Sequence, residues 1–130
     1  MKKTGLLHPE LSALVAAAGH GQRIVVADTG TPIPPGVPRI ELGVCAGVPD
    51  LLSVLRAVLE ELVVEGAEVA RETREVSPQW HGALLGVLPV PPTEITHADL
   101  KAGFDDVLAV IRTGEALPYA NVVLICGVNF

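Results

Sequence analysis

Short, strongly apolar runs alternate along the chain with segments whose apolar residues recur at helical spacing. Residues 23–27, RIVVA, form a run too short and too apolar for anything but a buried strand. In residues 50–61 the apolar positions instead lie three and four apart, as on a helix with one buried face. The pattern therefore predicts an alternation of strands and helices.

Applied to the whole chain, this reasoning predicts six strands and four helices. The predicted strands are 23–27, 39–44, 62–70, 94–96, 107–112 and 121–126. The predicted helices are 9–18, 50–61, 77–88 and 98–104, and a proline lies near the start of the first three. Such interleaving is typical of the α/β class. We predict a layered α/β/α fold with a mixed, six-stranded sheet, in a single domain spanning residues 1–130.

The connection at residues 29–38 contains four prolines and two glycines in ten residues. Proline restricts the backbone, so this loop is expected to be ordered rather than flexible. A stiff loop after a buried strand suits the wall of a binding site.

Composition adds an expectation about assembly. Of the 130 residues, 49% are hydrophobic and 18% are charged, and the mean hydropathy is +0.47. That hydropathy is high for a small monomer, because a chain of this size has much surface to cover with polar groups. We therefore expect apolar surface to be buried between subunits, with residues 122–130 shielded in an oligomer.

Charge and segment composition argue against several partners and locations. The net charge of −6 disfavours nucleic-acid binding. The longest uncharged stretch, residues 76–93, contains four prolines and two glycines and cannot form a membrane-spanning helix. Cys45 and Cys126 lie far apart in apolar runs, and we expect both to be reduced core residues of a cytoplasmic protein.

Candidate chemistry lies in a few polar residues at the ends of predicted strands, since the standard phosphate-binding, metal-binding and nucleophile motifs are absent. These residues are His20, Asp28, His97, Tyr119 and Asn121. Imidazole, carboxylate, phenol and amide groups with little positive charge suit a neutral, hydroxyl-rich ligand and proton transfer.

Each candidate also has a purely structural interpretation. His20, between two glycines, could terminate a helix, and Asp28 could form an Asx turn with the following residues. His97 could start a helix, and Tyr119 could be a buried aromatic whose hydroxyl is satisfied. The two remaining histidines, His8 and His81, are expected to be structural, and no partner for His81 is evident from the sequence.

Several ordered blocks carry a resemblance to a known family. The blocks are MKKTG at 1–5, GHG at 19–21, VVAD at 25–28, PIP at 32–34, GVP at 47–49, TH at 96–97, IRTGE at 111–115 and PYAN at 118–121. Together they resemble the D-ribose pyranase family, relatives of the fucose mutarotases, over nearly the whole chain.

The resemblance implies a cytoplasmic isomerase that interconverts the pyranose, furanose and anomeric forms of D-ribose without a cofactor or metal. It also implies a decamer of two stacked five-membered rings, with sites near subunit contacts. Carried over by position, His20 would be the proton donor, and Asp28 and His97 would hold sugar hydroxyls. Tyr119, Ala120 and Asn121 would complete the pocket.

Two alternatives to a ribose isomerase stay open at this point. One is a fucose-type mutarotase, and the other is a non-enzymatic oligomer that binds sugar and assists ribose uptake. A purely structural assembly protein is opposed only by the polar residues at the strand ends. For the site itself, we expect the His20→Ala and Asn121→Ala variants to melt at temperatures close to that of the parent, because His20 lies in a turn and Asn121 at the entry of a strand.

Overall fold

The computed structural model describes residues 1–130, and they form six strands, five α-helices and one 3-10 helix. The strands are β1 (Arg23–Ala27), β2 (Arg39–Glu41), β3 (Val64–Ala70), β4 (Thr93–Ile95), β5 (Ala109–Arg112) and β6 (Val122–Cys126). The helices are α1 (Pro9–Ala17), α2 (Leu51–Leu59), α3 (Arg71–Val76), α4 (Pro78–Val87) and α5 (His97–Ala102), and the 3-10 helix is Gly103–Asp106.

One sheet holds all six strands in the order β2-β5-β1-β6-β3-β4. β6 pairs antiparallel with both β1 and β3, whereas the remaining pairs are parallel. The predicted mixed, six-stranded sheet is therefore confirmed. It also follows that five strands end, and β6 begins, at one end of the sheet, which we name the carboxyl end; the opposite end is the amino end.

Alternating residues of β1 show how the layers are held together. Ile24 and Val26 face a large apolar cluster on the side of α1, α2 and α4, while Val25 and Ala27 face a smaller cluster formed with α5 and the 3-10 helix. All four side chains are fully buried. Burial on both faces explains why β1 is apolar throughout, and it confirms the predicted helix-sheet-helix layering.

The main difference from the predicted elements is α3, a helix that the sequence pattern missed. It has six residues, no side-chain cap at its start and one buried residue, Thr73. With so short a helix there is no apolar periodicity to detect. The smaller differences are at boundaries: β2 ends at Glu41 rather than at residue 44, and β5 begins at Ala109 rather than at residue 107.

The expectation that both cysteines lie in the core is wrong for Cys45. Cys126 is buried in β6, but Cys45 is exposed, and neither forms a disulfide. After β2 the chain leaves the sheet and turns back on itself, pairing Cys45 with Val48 in an isolated bridge. An apolar run outside the sheet has no second layer to cover it, so Val44 and Val48 are exposed as well.

Candidate active site

The carboxyl end of the sheet brings together most of the polar residues singled out above. Asp28 follows β1, and His97 lies two residues after β4. Asn121 precedes β6, which runs in the opposite direction, so it reaches the same end as Asp28. Tyr119 and Ala120 directly precede Asn121 and therefore lie at the same end of the sheet. Five of the six predicted site residues are therefore grouped in one chain.

Asp28, Thr31 and Asn121 form a buried hydrogen-bonded network at the centre of this group. The Asn121 amide donates to Asp28 Oδ2 over 2.9 Å, and its Oδ1 accepts from Thr31 Oγ1 over 2.7 Å and from the Asp28 N–H over 3.2 Å. Thr31 Oγ1 also lies 3.0 Å from Asp28 Oδ1. The three residues are at most 9% exposed. Asn121 thus fixes the orientation of the Asp28 carboxylate.

Asp28 also forms an Asx turn, which is the structural role that the sequence allowed for it. The N–H of Gly30 donates to Asp28 Oδ1 over 2.9 Å. This bond shapes the start of the proline-rich loop, which continues from the carboxyl end of β1. The turn and a place in the site are compatible, because the carboxylate has lone pairs beyond those that its partners within the chain use.

His97 and Tyr119 form a second, more open part of the site. Their rings meet edge to face, with centroids 5.0 Å apart and planes at 80°. Tyr119 has a φ of +62°, which is unusual for a side chain of its size. Its carbonyl accepts hydrogen bonds from Thr73 Oγ1 over 2.8 Å and from the Asn121 N–H over 2.9 Å. Such strained positions are concentrated at functional sites.

The surroundings of His97 keep its imidazole neutral at pH 7. Burial lowers the pKa of His97 below its usual value near 6.5, and Lys101 lowers it further, while the carboxylates of Glu72 and Asp28 oppose the shift. The Nδ1 atom is buried without a hydrogen-bond partner, which further disfavours an imidazolium with two N–H donors. A neutral imidazole can accept a proton from a hydroxyl group.

A buried carboxylate, Glu115, supports the loop that borders the group. Its Oε1 accepts from the N–H groups of Ala116 and Leu117 over 2.9 and 3.2 Å, and its Oε2 lies 3.4 Å from the N–H of Leu51. Residues 115–118 and 28–30 line an open cavity of about 250 Å³. Ligand pockets usually measure roughly 300 Å³ or more, so this cavity is small for a complete site.

His20 is not part of this group within one chain. It precedes β1 and lies at the amino end of the sheet, so the five residues of β1, at about 3.3 Å each, place it roughly 16 Å or more from Asp28. Its Nε2 is 2.9 Å from Glu65 Oε2, and its side chain is 61% exposed. Two open cavities, of about 430 and 340 Å³, are lined by His20 and its neighbours.

The other two histidines make structural contacts, as predicted, but His81 does have a partner. His8 Nδ1 accepts from the N–H of Leu11 over 3.4 Å at the start of α1. His81 is buried, and its Nε2 lies 3.4 Å from Glu94 Oε1; Arg74 pairs with the same carboxylate over 3.1 Å. This pairing joins α3 and α4 to β4, which no local pattern could indicate.

Comparison with known proteins identifies the family. A model of the RbsD / FucU transport protein family matches residues 1–129. The chain belongs to this family. It is 50% identical to a D-ribose pyranase of Paracidovorax citrulli and 47% identical to one of Chloroflexus aggregans, and each alignment covers all of both proteins. Bacillus subtilis RbsD, solved in complex with D-ribose, is 36% identical, with a TM-score of 0.95 and full coverage of both chains. The resemblance found in the sequence blocks is thereby confirmed.

In this member of the RbsD / FucU family, the structure adds four residues to the candidate site that the sequence pattern did not indicate. They are Thr31, Glu72, Thr73 and Glu115, and all four hold other site residues or the loops around them. Glu115 is the last residue of the IRTGE block at 111–115, and Thr31 lies in the proline-rich loop at 29–38. Nothing in the local pattern marks Glu72 or Thr73, because their partners are distant in the chain.

The buried network corrects the expectation for Asn121→Ala. Asn121 is 1% exposed, and its truncation removes the amide that donates to Asp28 Oδ2 and the oxygen that accepts from the Asp28 N–H and from Thr31 Oγ1. We predict a loss of about 3 kcal/mol in the free energy of unfolding, because buried groups lose their hydrogen bonds and one of them is charged. Denaturant titration of the variant and the parent measures this loss.

Gln79→Ala is the matched control, because Gln79 is an exposed amide of α4 whose side chain makes no hydrogen bond. The denaturant concentration at the midpoint of its unfolding is expected to equal that of the parent. An Asn121→Ala protein that unfolds within about 0.5 kcal/mol of the parent would show that the network contributes little to stability.

Proposed function

We propose that this protein is an isomerase that interconverts the pyranose and furanose forms of D-ribose, and its anomers, by acid-base ring opening. The observation that carries the proposal is the group at the carboxyl end of the sheet, Asp28 with His97 and Tyr119–Asn121, in a chain 50% identical to a D-ribose pyranase. Residues 1–130 would act as one ribose pyranase-like domain. Ribose is favoured over fucose because the full-length relatives at 50% and 47% identity carry the ribose name.

The proposed binding groups have the hydrogen-bonding character that a pentose requires. Asp28 accepts bonds from sugar hydroxyls, and its orientation is held by Asn121 and Thr31. The His97 imidazole and the backbone of Tyr119, with its strained φ, supply further hydrogen-bonding groups beside the Asp28 carboxylate. Ala120 is fully buried, so it would contribute through its main chain. No cluster of three His, Cys, Asp or Glu side chains is arranged around a metal position.

The proposed reaction needs one proton donor and one proton acceptor. His20 protonates the ring oxygen while the anomeric hydroxyl loses its proton to His97, and the bond between C1 and the ring oxygen breaks to give the open-chain aldehyde. Attack on C1 by the hydroxyl of C4 or C5, with the proton transfers reversed, closes the furanose or the pyranose. Rotation about the C1–C2 bond before closure presents the other face of the aldehyde and so exchanges the anomers. An imidazole suits both roles near neutral pH.

His20 would have to reach the sugar from a second copy of the chain. Within one chain it lies at the amino end of the sheet, beyond the reach of a pentose bound at Asp28. The cavity beside Asp28 is open and small, and the His20 side chain is exposed at the amino end of the sheet. A contact between the carboxyl end of one copy and the amino end of the next would close the cavity and supply the donor.

We propose the assembly that the family resemblance implies, a decamer of two stacked pentameric rings. Exposed apolar side chains support an interface, since lone surface residues are ordinary but grouped ones indicate a contact. Val44 and Val48 are exposed on one loop, and Val128 and Phe130 on the C-terminal tail. Head-to-tail contacts of the kind needed for the composite site produce a ring when the rotation between neighbouring copies closes, and a pentamer is one such ring.

We also propose the cytoplasmic location that the family resemblance implies. None of the helices has both the length and the apolar character needed to cross a bilayer.

Exchange NMR on D-ribose tests the proposed function directly. Saturation-transfer measurements of the pyranose and furanose signals should show exchange rates that rise in proportion to protein concentration. L-fucose under the same conditions serves as the substrate control and is expected to show a smaller increase. Unchanged ribose exchange at micromolar protein would overturn the proposal, and a larger effect on fucose would favour the fucose-type mutarotase.

A non-enzymatic sugar-binding protein is the second candidate, because the family model carries a transport description. Such a protein would bind ribose in a calorimeter and leave the exchange rate unchanged. Its binding would also survive His20→Ala, since binding alone needs no proton donor.

A further inference from the structure

We propose that Glu72 and Thr73, consecutive residues at the start of α3, are positioning residues for the two rings of the site, Glu72 for His97 and Thr73 for Tyr119. The inference rests on the proposed function for the identity of the site, but not for the contacts themselves. α3 follows β3 directly at the carboxyl end of the sheet, so its first turn lies beside both rings.

Glu72 holds the backbone of His97 with both carboxylate oxygens. The N–H of His97 lies 3.1 Å from Oε1 and 3.0 Å from Oε2. Although partial burial acts to raise it, the pKa of Glu72 lies below its usual range, because its own N–H and that of His97 donate to the charged form. Glu72 is therefore a carboxylate at pH 7 and places a fixed negative charge beside His97.

Thr73 holds the strained residue Tyr119 through a buried hydroxyl. The side chain is 1% exposed, and Oγ1 donates to the Tyr119 carbonyl over 2.8 Å. Thr73 is the one buried residue of α3, so an apolar residue of the same shape would satisfy the packing there. The hydroxyl instead bonds to a residue whose positive φ costs free energy, which points to a role in fixing Tyr119.

Glu72 also acts on the protonation of His97. The groups that face the imidazole are Lys101 on α5, Asp28 after β1, Glu72 on α3 and the ring of Tyr119 before β6. Burial and Lys101 favour the neutral ring, while Glu72 and Asp28 favour the charged one. Removing the Glu72 charge takes away one of the two carboxylates that raise the pKa of His97, so burial and Lys101 lower that pKa further.

The first test compares Glu72→Gln with Glu75→Gln. Glutamine keeps the size of the side chain and an oxygen acceptor for the His97 N–H, but it removes the charge. Glu75 is an exposed residue of the same helix with no ion pair, so its variant makes the same chemical change away from the site. NMR titration of the His97 imidazole in the ligand-free protein should give a lower pKa in Glu72→Gln and an unchanged one in Glu75→Gln. Equal pKa values in both variants would overturn the role of Glu72.

The pH dependence of ribose exchange gives a second readout for the same pair. The acid limb of the rate profile should move to lower pH in Glu72→Gln alone, because His97 stays neutral to lower pH. If the parent does not accelerate exchange, the proposed function fails, yet the ligand-free titration still decides whether Glu72 controls His97.

The second test compares Thr73→Val with Thr73→Ser. Valine keeps the shape of threonine without the hydroxyl, whereas serine keeps the hydroxyl. Calorimetry with D-ribose should show an affinity roughly tenfold weaker for Thr73→Val and close to that of the parent for Thr73→Ser, since loss of one positioning hydrogen bond is worth about a factor of ten. Equal affinities in the two variants would overturn the role of Thr73.

Discussion

His20→Ala is expected to slow protein-catalysed ribose exchange by roughly a hundred- to ten-thousand-fold, the usual contribution of a well-placed proton donor. The protein should remain as stable as the parent, because the His20 side chain is 61% exposed and its partner Glu65 is 45% exposed. Ribose affinity should fall much less than the rate. Exchange NMR measures the rate, calorimetry the affinity and denaturant titration the stability.

His8→Ala serves as the control for this variant. His8 caps the start of α1, where its Nδ1 accepts from the backbone N–H of Leu11, and it makes no hydrogen bond to a residue of the site. Its exchange rate should equal that of the parent. A folded His20→Ala protein that binds ribose and still exchanges it like the parent would exclude His20 as the donor, and Tyr119 would become the leading candidate for the acid.

Mixing two inactive variants should restore activity if the site is shared between copies. His20→Ala lacks the proposed donor at the amino end of the sheet, and His97→Ala lacks the proposed acceptor at the carboxyl end. When the two are unfolded together and reassembled in equal amounts, about one quarter of the sites should pair an intact His20 with an intact His97, by random choice of neighbours around a ring. The exchange rate should therefore reach about a quarter of the parent value.

Each variant reassembled alone is the control and should stay inactive. Native mass spectrometry establishes that mixed assemblies have formed. If mixed assemblies are present and the rate stays at the level of the separate variants, His20 and His97 act from the same chain. The composite site would then be wrong, whereas the assignment of His20 as donor would still rest on the His20→Ala result.

The class of fold was predictable because its signals are local. A buried strand such as residues 23–27 is apolar at every position, and the helix that starts near Asp50 carries its apolar stripe and its cap within a dozen residues. Where the local signal is weak or misleading, prediction failed: α3 has no side-chain cap and no apolar stripe, and residues 43–48 carry no charge but are exposed.

Candidate site residues were predictable by type and by nearness to strand ends, but their grouping was not. Asp28, His97 and Asn121 meet because β6 runs opposite to the other five strands. His20 is separated from them because it precedes β1. Strand direction depends on pairing between distant segments, and no single strand encodes it in its own pattern.

The sequence by itself therefore determined the α/β class, the stiff loop after β1, the acidic surface charge and the polar residue types suited to a hydroxyl-rich ligand. The tertiary structure alone decided which end of the sheet each residue occupies, that Asn121 is buried against Asp28, and that Glu72 and Thr73 support His97 and Tyr119. The physical reason is the range of the interactions. Caps, turns and apolar periodicity act within a few residues, whereas the hydrogen bonds that join the separate segments of the site connect residues 25 to 93 positions apart.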